Sequence, residues 1–252
     1  NRYDQTYKHV WYVNGNNTSF PWTTAYLNAG AKKANGQPVT QADVDNKVQR
    51  LVMGDTAIYI PGPGREAKWT TAKRAATRYQ VILRTDAGKQ NFNEFQYAHI
   101  KKFMDPLRPT IQWMEGSRDW FVFRLADTYL LRAEARLQQG NNAGARADIV
   151  VVRQRSAFAG VDMNNPANTP ATITLDYLLD ERARELDGEQ CRWYDLVRTK
   201  TLVTRVNQYN PEAGNRVDAH FMQRPIIQNQ IDRSLGGYEQ NCGYPGGVCT
   251  GG

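Results

Sequence analysis

Glu181 and Glu185 lie one helical turn apart in the tract ERARELDGEQCRW, a spacing at which paired carboxylates could act as acid and base on a glycosidic bond. Arg182, Arg184 and Arg192 are interleaved with them, and carboxylates placed this way on a helix form ion pairs with such neighbours. The pair is therefore expected to be structural. His9, His99 and His220 are far apart and match no HExxH spacing. Cys191, Cys242 and Cys249 show no metal-ligand spacing. Cys242 and Cys249 flank a Gly/Pro-rich turn and can pair where the compartment oxidises thiols, while Cys191 reads as a small buried residue. No GxSxG elbow, P-loop or dinucleotide fingerprint occurs, and Gly62-Pro63-Gly64 is not followed by the Lys-Ser/Thr that phosphate binding needs. The sequence thus predicts no catalytic residues, no metal site and no cofactor.

Binding chemistry is better represented. A sugar ring has an apolar C–H face and a hydroxyl rim, so its recognition calls for an aromatic platform with hydrogen-bonding side chains around it. The segment WYVNGNNTSFPWTTAY offers Trp11, Tyr12, Phe20, Trp22 and Tyr26 with Asn14, Asn16 and Asn17 among them. A second candidate runs from Arg65 to Trp69, and a third is Gln112-Trp113. The candidate ligand-binding set is Trp11, Tyr12, Asn16, Trp22, Tyr26, Arg65, Trp69 and Trp113. Each ring could instead anchor a long loop to the helices, and that alternative stays open for each taken singly. Trp120 adjoins a helical tract and is expected in the core.

The elements that must position these residues are mostly short. Thr56–Ile60 and Tyr79–Arg84 read as strands, the first stopped by Pro61-Gly62-Pro63-Gly64. Gln41–Val52 reads as a short helix with Val44, Val48 and Val52 on one face, and residues 94–116 as irregular, Pro106 and Pro109 excluding a long helix. From Phe121 to about Phe158 the pattern is helical. Leu125, Tyr129, Ala133 and Leu137 recur at four-residue spacing. Gly140 breaks the run, and Ala145, Ile149 and Val152 resume it. With Ala133 and Ala145 as small contact residues, this resembles one tetratricopeptide helix pair. A further helix starts at Thr174, its N-cap, with Asp176 in the first turn and Leu175, Leu178, Leu179 and Leu186 inward; Gly188 ends it. Arg192–Tyr209 reads as one more helix, and the tract from Pro211 onward, with 11 glycines and prolines, as irregular.

The succession RLADTYLLRAEA, VVVRQRS and ERARELDGEQCRWYDLVRT resembles the C-terminal half of the SusD/RagB family, surface-exposed nutrient-binding lipoproteins of the Bacteroidota. NRYDQTYKHVWYVN, GDTAIYI, YAHIKKFMD, RPIIQNQIDRS and QNCGY fall in the matching order. The resemblance implies a mainly α fold, a tetratricopeptide-like scaffold with long irregular loops and minor β. It implies a single region over 1–252, with 1–120 on the ligand side, 121–210 as scaffold and 211–252 as tail. It also implies a non-enzymatic role on the extracellular face of the outer membrane: binding an oligosaccharide or polysaccharide and passing it to a SusC-type TonB-dependent transporter. Family members are longer and carry an N-terminal lipid anchor. This chain starts at Asn1 without a targeting segment and holds no run near the ~18 apolar residues of a membrane span, so it is expected to be a C-terminal portion.

Charge is unevenly distributed. Residues 1–123 hold 17 Lys and Arg against 10 Asp and Glu, whereas residues 124–252 hold 15 of each. Five of the six tryptophans also fall in the first half, which makes the loop-rich half the expected ligand face. The net charge of +7 is modest, its lysines are scattered and no nucleic-acid motif is present, so nucleic acid is not an expected partner; an anionic glycan or a complementary protein surface suits the excess better. Peptide uptake by the same route, and a purely structural or assembly role for the helices, are the alternatives.

Overall fold

The computed structural model describes residues 6–13, 20–83, 98–107, 109–110, 113, 115–210, 212–213 and 216–249. Helix accounts for 38% and strand for 9%, so the chain is mainly α, as expected. The fold groups into two compact units, residues 1–128 with 150–171 and residues 129–149 with 172–252.

The first unit is built from short pieces. Its strands are β1 (Tyr7–Lys8), β2 (Val10–Tyr12), β3 (Thr56–Tyr59), β4 (Gln80–Val81) and β5 (His99–Ile100). Valine, isoleucine and the aromatics suit a pleated, half-buried surface, and here they pair over long sequence separations. β2 runs antiparallel to β3, with Val10 opposite Tyr59 and Trp11 opposite Ile58. β3 runs parallel to β4, and β1 pairs antiparallel with β5, Tyr7 opposite Ile100 and Lys8 opposite His99. β5 therefore interrupts a stretch expected to be irregular; two residues carry no periodicity, and only the distant partner makes them a strand.

The short helices are α1 (Thr24–Asn28), α2 (Gln41–Asp45) and α3 (Thr71–Ala75). α2 opens on a capping box in which Thr40 accepts from the Asp43 N–H and Asp43 accepts from the Thr40 N–H. It stops well before the expected Val52, because Lys47 adopts φ +50° and turns the chain. Val48 and Val52 are consequently exposed. A small core forms from Trp22, Ala31 and Val39, with Tyr26, Leu27 and Val44 packed against it.

The longer helices are α4 (Leu125–Gln138), α5 (Asn142–Arg155), α6 (Leu175–Glu185), α7 (Arg192–Arg198), α8 (Leu202–Tyr209) and α9 (Gln228–Arg233). Gly140, at φ +76°, makes the turn between α4 and α5. Asn141 then caps α5 by accepting from the Gly144 N–H at 2.9 Å. Ala133 and Ala145 are both fully buried, as their small size predicted. Leu125 differs from expectation and is 72% exposed, while Leu130, Ala133 and Glu134 are buried. A strict four-residue stripe drifts around a helix of 3.6 residues per turn, so the buried face follows i, i+3 and i+4 instead.

Thr174 caps α6, accepting from the Tyr177 N–H at 3.1 Å, and Leu178 and Leu179 are fully buried. Burial of such a leucine stabilises by about 1.5–3 kcal/mol. The expected helix from Arg192 to Tyr209 is two helices, because Lys200 takes φ +56° and the Thr201 N–H closes back on Leu196 O at 2.8 Å.

Arginine–carboxylate pairs hold the second unit together. Buried Asp148 accepts from Arg132 at 2.7 Å and from Arg136 at 2.9 Å. Arg182 donates to Asp195 at 2.7 Å with both side chains buried. Arg198 pairs with Glu134 and, at 3.3 Å, with Asp195, and its hydrogen bond to Glu134 holds it still more firmly protonated than usual. Arg205 bridges Asp176 and Asp180. Each cation lies beside an acceptor, which is what tolerating charge in a packed interior requires.

The tail is mostly irregular, as expected, apart from α9 and a short turn of helix at Ala219–Met222, yet it is stitched down. Cys242 and Cys249 form a disulfide. The Gln240 side chain bonds both the N–H and the carbonyl of Ile226, and the Tyr244 hydroxyl donates to Gln223 O at 2.8 Å. Gly243, at φ +88°, lets this turn lie against His220; a Cβ there would come within 2.3 Å of His220 Cβ.

Candidate functional site

The aromatic residues singled out in the sequence divide by location. Successive strand residues point to opposite faces. Trp11 stands opposite Ile58, and Tyr59 opposite Val10, so Trp11 and Tyr59 occupy different faces of the small sheet. On Tyr59's side, Trp69 packs at 5.7 Å from Tyr59 and 6.3 Å from Tyr79, with the Lys73 ammonium 4.8 Å from its ring centre. Burial among these rings raises the pKa of the Tyr79 hydroxyl. Arg65 is half-buried in the turn after β3, its N–H bonded to Gly62 O at 3.0 Å. On the other face, Trp11 meets the His99 ring edge-on at 5.6 Å and lies 5.9 Å from the Lys8 ammonium. Tyr12 is 61% exposed and Trp113 is 52% exposed.

Two expectations are corrected. Trp22, a candidate platform, is only 3% exposed; Ala31 and Val39 enclose it, and Tyr26 meets it edge-on at 5.6 Å. It has no open face. Tyr26 in turn lies under the Arg50 guanidinium at 4.9 Å. Trp120, expected in the core, is 61% exposed. It ends a column of rings: Trp120 stacks on Phe103 at 3.9 Å, Phe103 on Phe121 at 4.9 Å, and Arg124 lies 5.8 Å from Phe121. A terminal ring in such a column offers one covered face and one open face. Asn16, with Asn14, Asn17 and Gln112, lies outside the described residues.

Close to the β1–β5 ribbon, a cavity of about 390 Å³ is lined by Lys8, Lys101, Lys102, Met104, Pro106 and Arg118. The second unit holds a cavity of about 440 Å³ lined by residues that include Arg182, Asp187, Gln190, Arg192 and Asp195. Neither Glu181 nor Glu185 lines it. Glu181 is fully buried and accepts from Arg184 at 2.9 and 3.1 Å, so this carboxylate is a packing element, as the interleaved arginines implied. Cys191 is half-buried, its thiol donating to Glu189 O. Trp193 is likewise half-buried, with Arg224 5.7 Å from its ring. Among the described residues, no cluster of three or more His, Cys, Asp or Glu is placed to hold a metal ion. No described helix is long and apolar enough to cross a membrane.

A model of the SusD family matches residues 3–244. The chain belongs to the SusD family. It is 32% identical over 115 residues to SusD-like protein P38 of Formosa agariphila, a match covering 43% of this chain and 22% of that protein. It is 33% identical over 127 residues to the starch-binding protein SusD of Bacteroides thetaiotaomicron, covering 49% of this chain and 21% of that one. The chain thus spans about a fifth of the length of the curated relatives it matches. As a SusD family member it carries two features that reading by residue type missed, the Trp120–Phe103 column and the four-cation cavity. The tract HIKKFMD, with two lysines beside a phenylalanine, was the available signal for both.

Proposed function

We propose that this chain is the ligand-bearing part of a non-catalytic, cell-surface glycan-binding protein that passes saccharide to a SusC-type TonB-dependent transporter. In this reading residues 1–120 form the ligand side, 121–210 the tetratricopeptide-like scaffold and 211–252 the tail, and an N-terminal lipid anchor on the whole protein holds it at the extracellular face of the outer membrane. The observation that carries it is the placement of open aromatic rings, Trp120 at the end of its column together with exposed Tyr12 and Trp113, in a chain of a family with a starch-binding member. An aromatic face stacks on the apolar face of a sugar ring. The ligand set then comprises Trp11, Tyr12, Arg65, Trp69 and Trp113, extended by Trp120. The Cys242–Cys249 disulfide suits an oxidising, extracytoplasmic setting.

Titration calorimetry against neutral and charged oligosaccharides and a peptide panel tests this reading. Saccharide binding that weakens on Trp11→Ala with Trp120→Ala, without any turnover of the sugar, is the expected result. Binding of peptides alone would overturn it.

A further inference from the structure

We propose that the cavity beside the β1–β5 ribbon takes the anionic group of a charged saccharide, a carboxylate or a sulfate ester. This rests on the glycan-binding reading and narrows it from saccharides in general to acidic ones.

The cavity is assembled by backbone pairing rather than by chance proximity of flexible side chains. Lys8 sits opposite His99 in the ribbon, and the Lys101 N–H donates to Thr6 O at 2.8 Å, so Lys8 and the Lys101-Lys102 pair are brought together. The fourth cation arrives on a closed loop. Asp105 accepts from the Leu107 N–H at 2.9 Å and from the Ser117 N–H at 2.8 Å, and Arg118 donates to Met104 O at 2.9 Å. Those backbone N–H bonds, Leu107 first, hold the Asp105 carboxyl below its usual pKa, and Asp105 is not among the lining residues. Arg118 uses one of its five donors on Met104 O.

Among the described lining residues four are cations and none is a carboxylate. Ammonium point charges and a planar guanidinium fork are the side chains that recognise carboxylate and sulfate oxygens. At about 390 Å³ the space lies within the roughly 300–1,000 Å³ of small-ligand pockets, a size that suits a substituent rather than a nucleic-acid strand. Trp11 ties it to the aromatic surface, since the Lys8 ammonium that lines the cavity also lies 5.9 Å from the Trp11 ring. A sugar ring against Trp11 would hold its acidic substituent toward the lysines.

The test is affinity measurement on the intact chain with matched polysaccharides at 50 and 200 mM salt. The pairs are polygalacturonate against its methyl ester and a sulfated galactan against its desulfated form, with a neutral glucan and single-stranded DNA alongside. We expect one charged member to bind about tenfold more tightly than its neutral partner, a step of ~1.4 kcal/mol. The arm that shows it separates carboxylate from sulfate. Lys8→Gln with Lys101→Gln should remove the preference while leaving neutral-glycan binding and Tm unchanged. Equal binding of charged and neutral members overturns this inference and leaves the glycan reading intact. A preference that survives the double substitution, or DNA binding as tight as the acidic glycan, overturns it as well. No binding to any saccharide defeats the glycan reading itself.

Discussion

The two units differ in where they put positive charge. In the second, arginines face carboxylates inside the fold: Arg182 meets Asp195, Arg198 meets Glu134, and Arg132 and Arg136 share Asp148. In the first, Lys33 and Arg78 pair with Asp43 and Asp55, but three lysines and an arginine also line an open cavity in which no described lining residue is a carboxylate. The two halves of the sequence also differ in composition. Residues 124–252 use 14 arginines and a single lysine, whereas residues 1–123 use nine lysines and eight arginines. A guanidinium is weakly hydrated and forms forked bonds, so it suits buried pairs; an ammonium is strongly hydrated and suits a surface that meets anions in water. The second half thus sets buried carboxylates against its arginines, while part of the first half's excess lines the cavity.

Breaking the internal network should have the largest effect. Asp195→Ala strands Arg182 in the interior, and removing one partner of a buried pair costs about 3–5 kcal/mol. Urea unfolding should show that loss, with ligand affinity of the folded fraction retained; a loss below about 1 kcal/mol would mean the pair is solvated rather than buried.

Exchanging the roles of two tryptophans sharpens the contrast within the first unit. Trp22→Ala empties an enclosed site and should cost about 3–5 kcal/mol. Trp120→Ala removes an exposed ring and should change stability by no more than about 0.5 kcal/mol while weakening saccharide binding several-fold. Parallel thermal unfolding and titration of the two variants read both effects, and equal destabilisation would contradict the assignment.

The smallest effect concerns pH. The Lys33 ammonium at 3.0–3.1 Å and the Thr40 hydroxyl and N–H lower the Asp43 pKa to about 2 from 3.8. A depressed carboxylate contributes stability that is present above the unfolded pKa and lost as pH falls through the folded one. The α2 cap should therefore hold at pH 4 and weaken toward pH 2, followed by amide chemical shifts of residues 40–46, and Asp43→Asn should abolish that dependence.

Much of the scaffold was legible in the sequence because it is local. Thr174, Gly140, Ala133 and Ala145 act through neighbours within a turn or across one helix pair, and periodicity reports such contacts directly. The strands were partly hidden, since Tyr7–Lys8 and His99–Ile100 become a ribbon only by meeting each other. The site was less legible still. Trp22 and Trp120 are both flanked by polar and aromatic residues, and which one is enclosed depends on Ala31 and Val39 for the first and on Phe103 for the second. Burial of a ring is a tertiary fact, and residue type alone assigned these two the wrong way round. The lysine cavity escaped for the same reason: Lys8 joins Lys101 and Lys102 through pairing across most of the first unit.

The most direct test follows the six tryptophan indole N–H resonances in a ¹⁵N-labelled chain during titration with a bound oligosaccharide. Trp11 and Trp120 should shift with saturation while Trp22, enclosed in its core, and Trp193, held within the arginine-paired unit, stay in place. Shifts at Trp22 or Trp193 with Trp11 and Trp120 unmoved would contradict the assignment of ligand binding to the loop-rich unit.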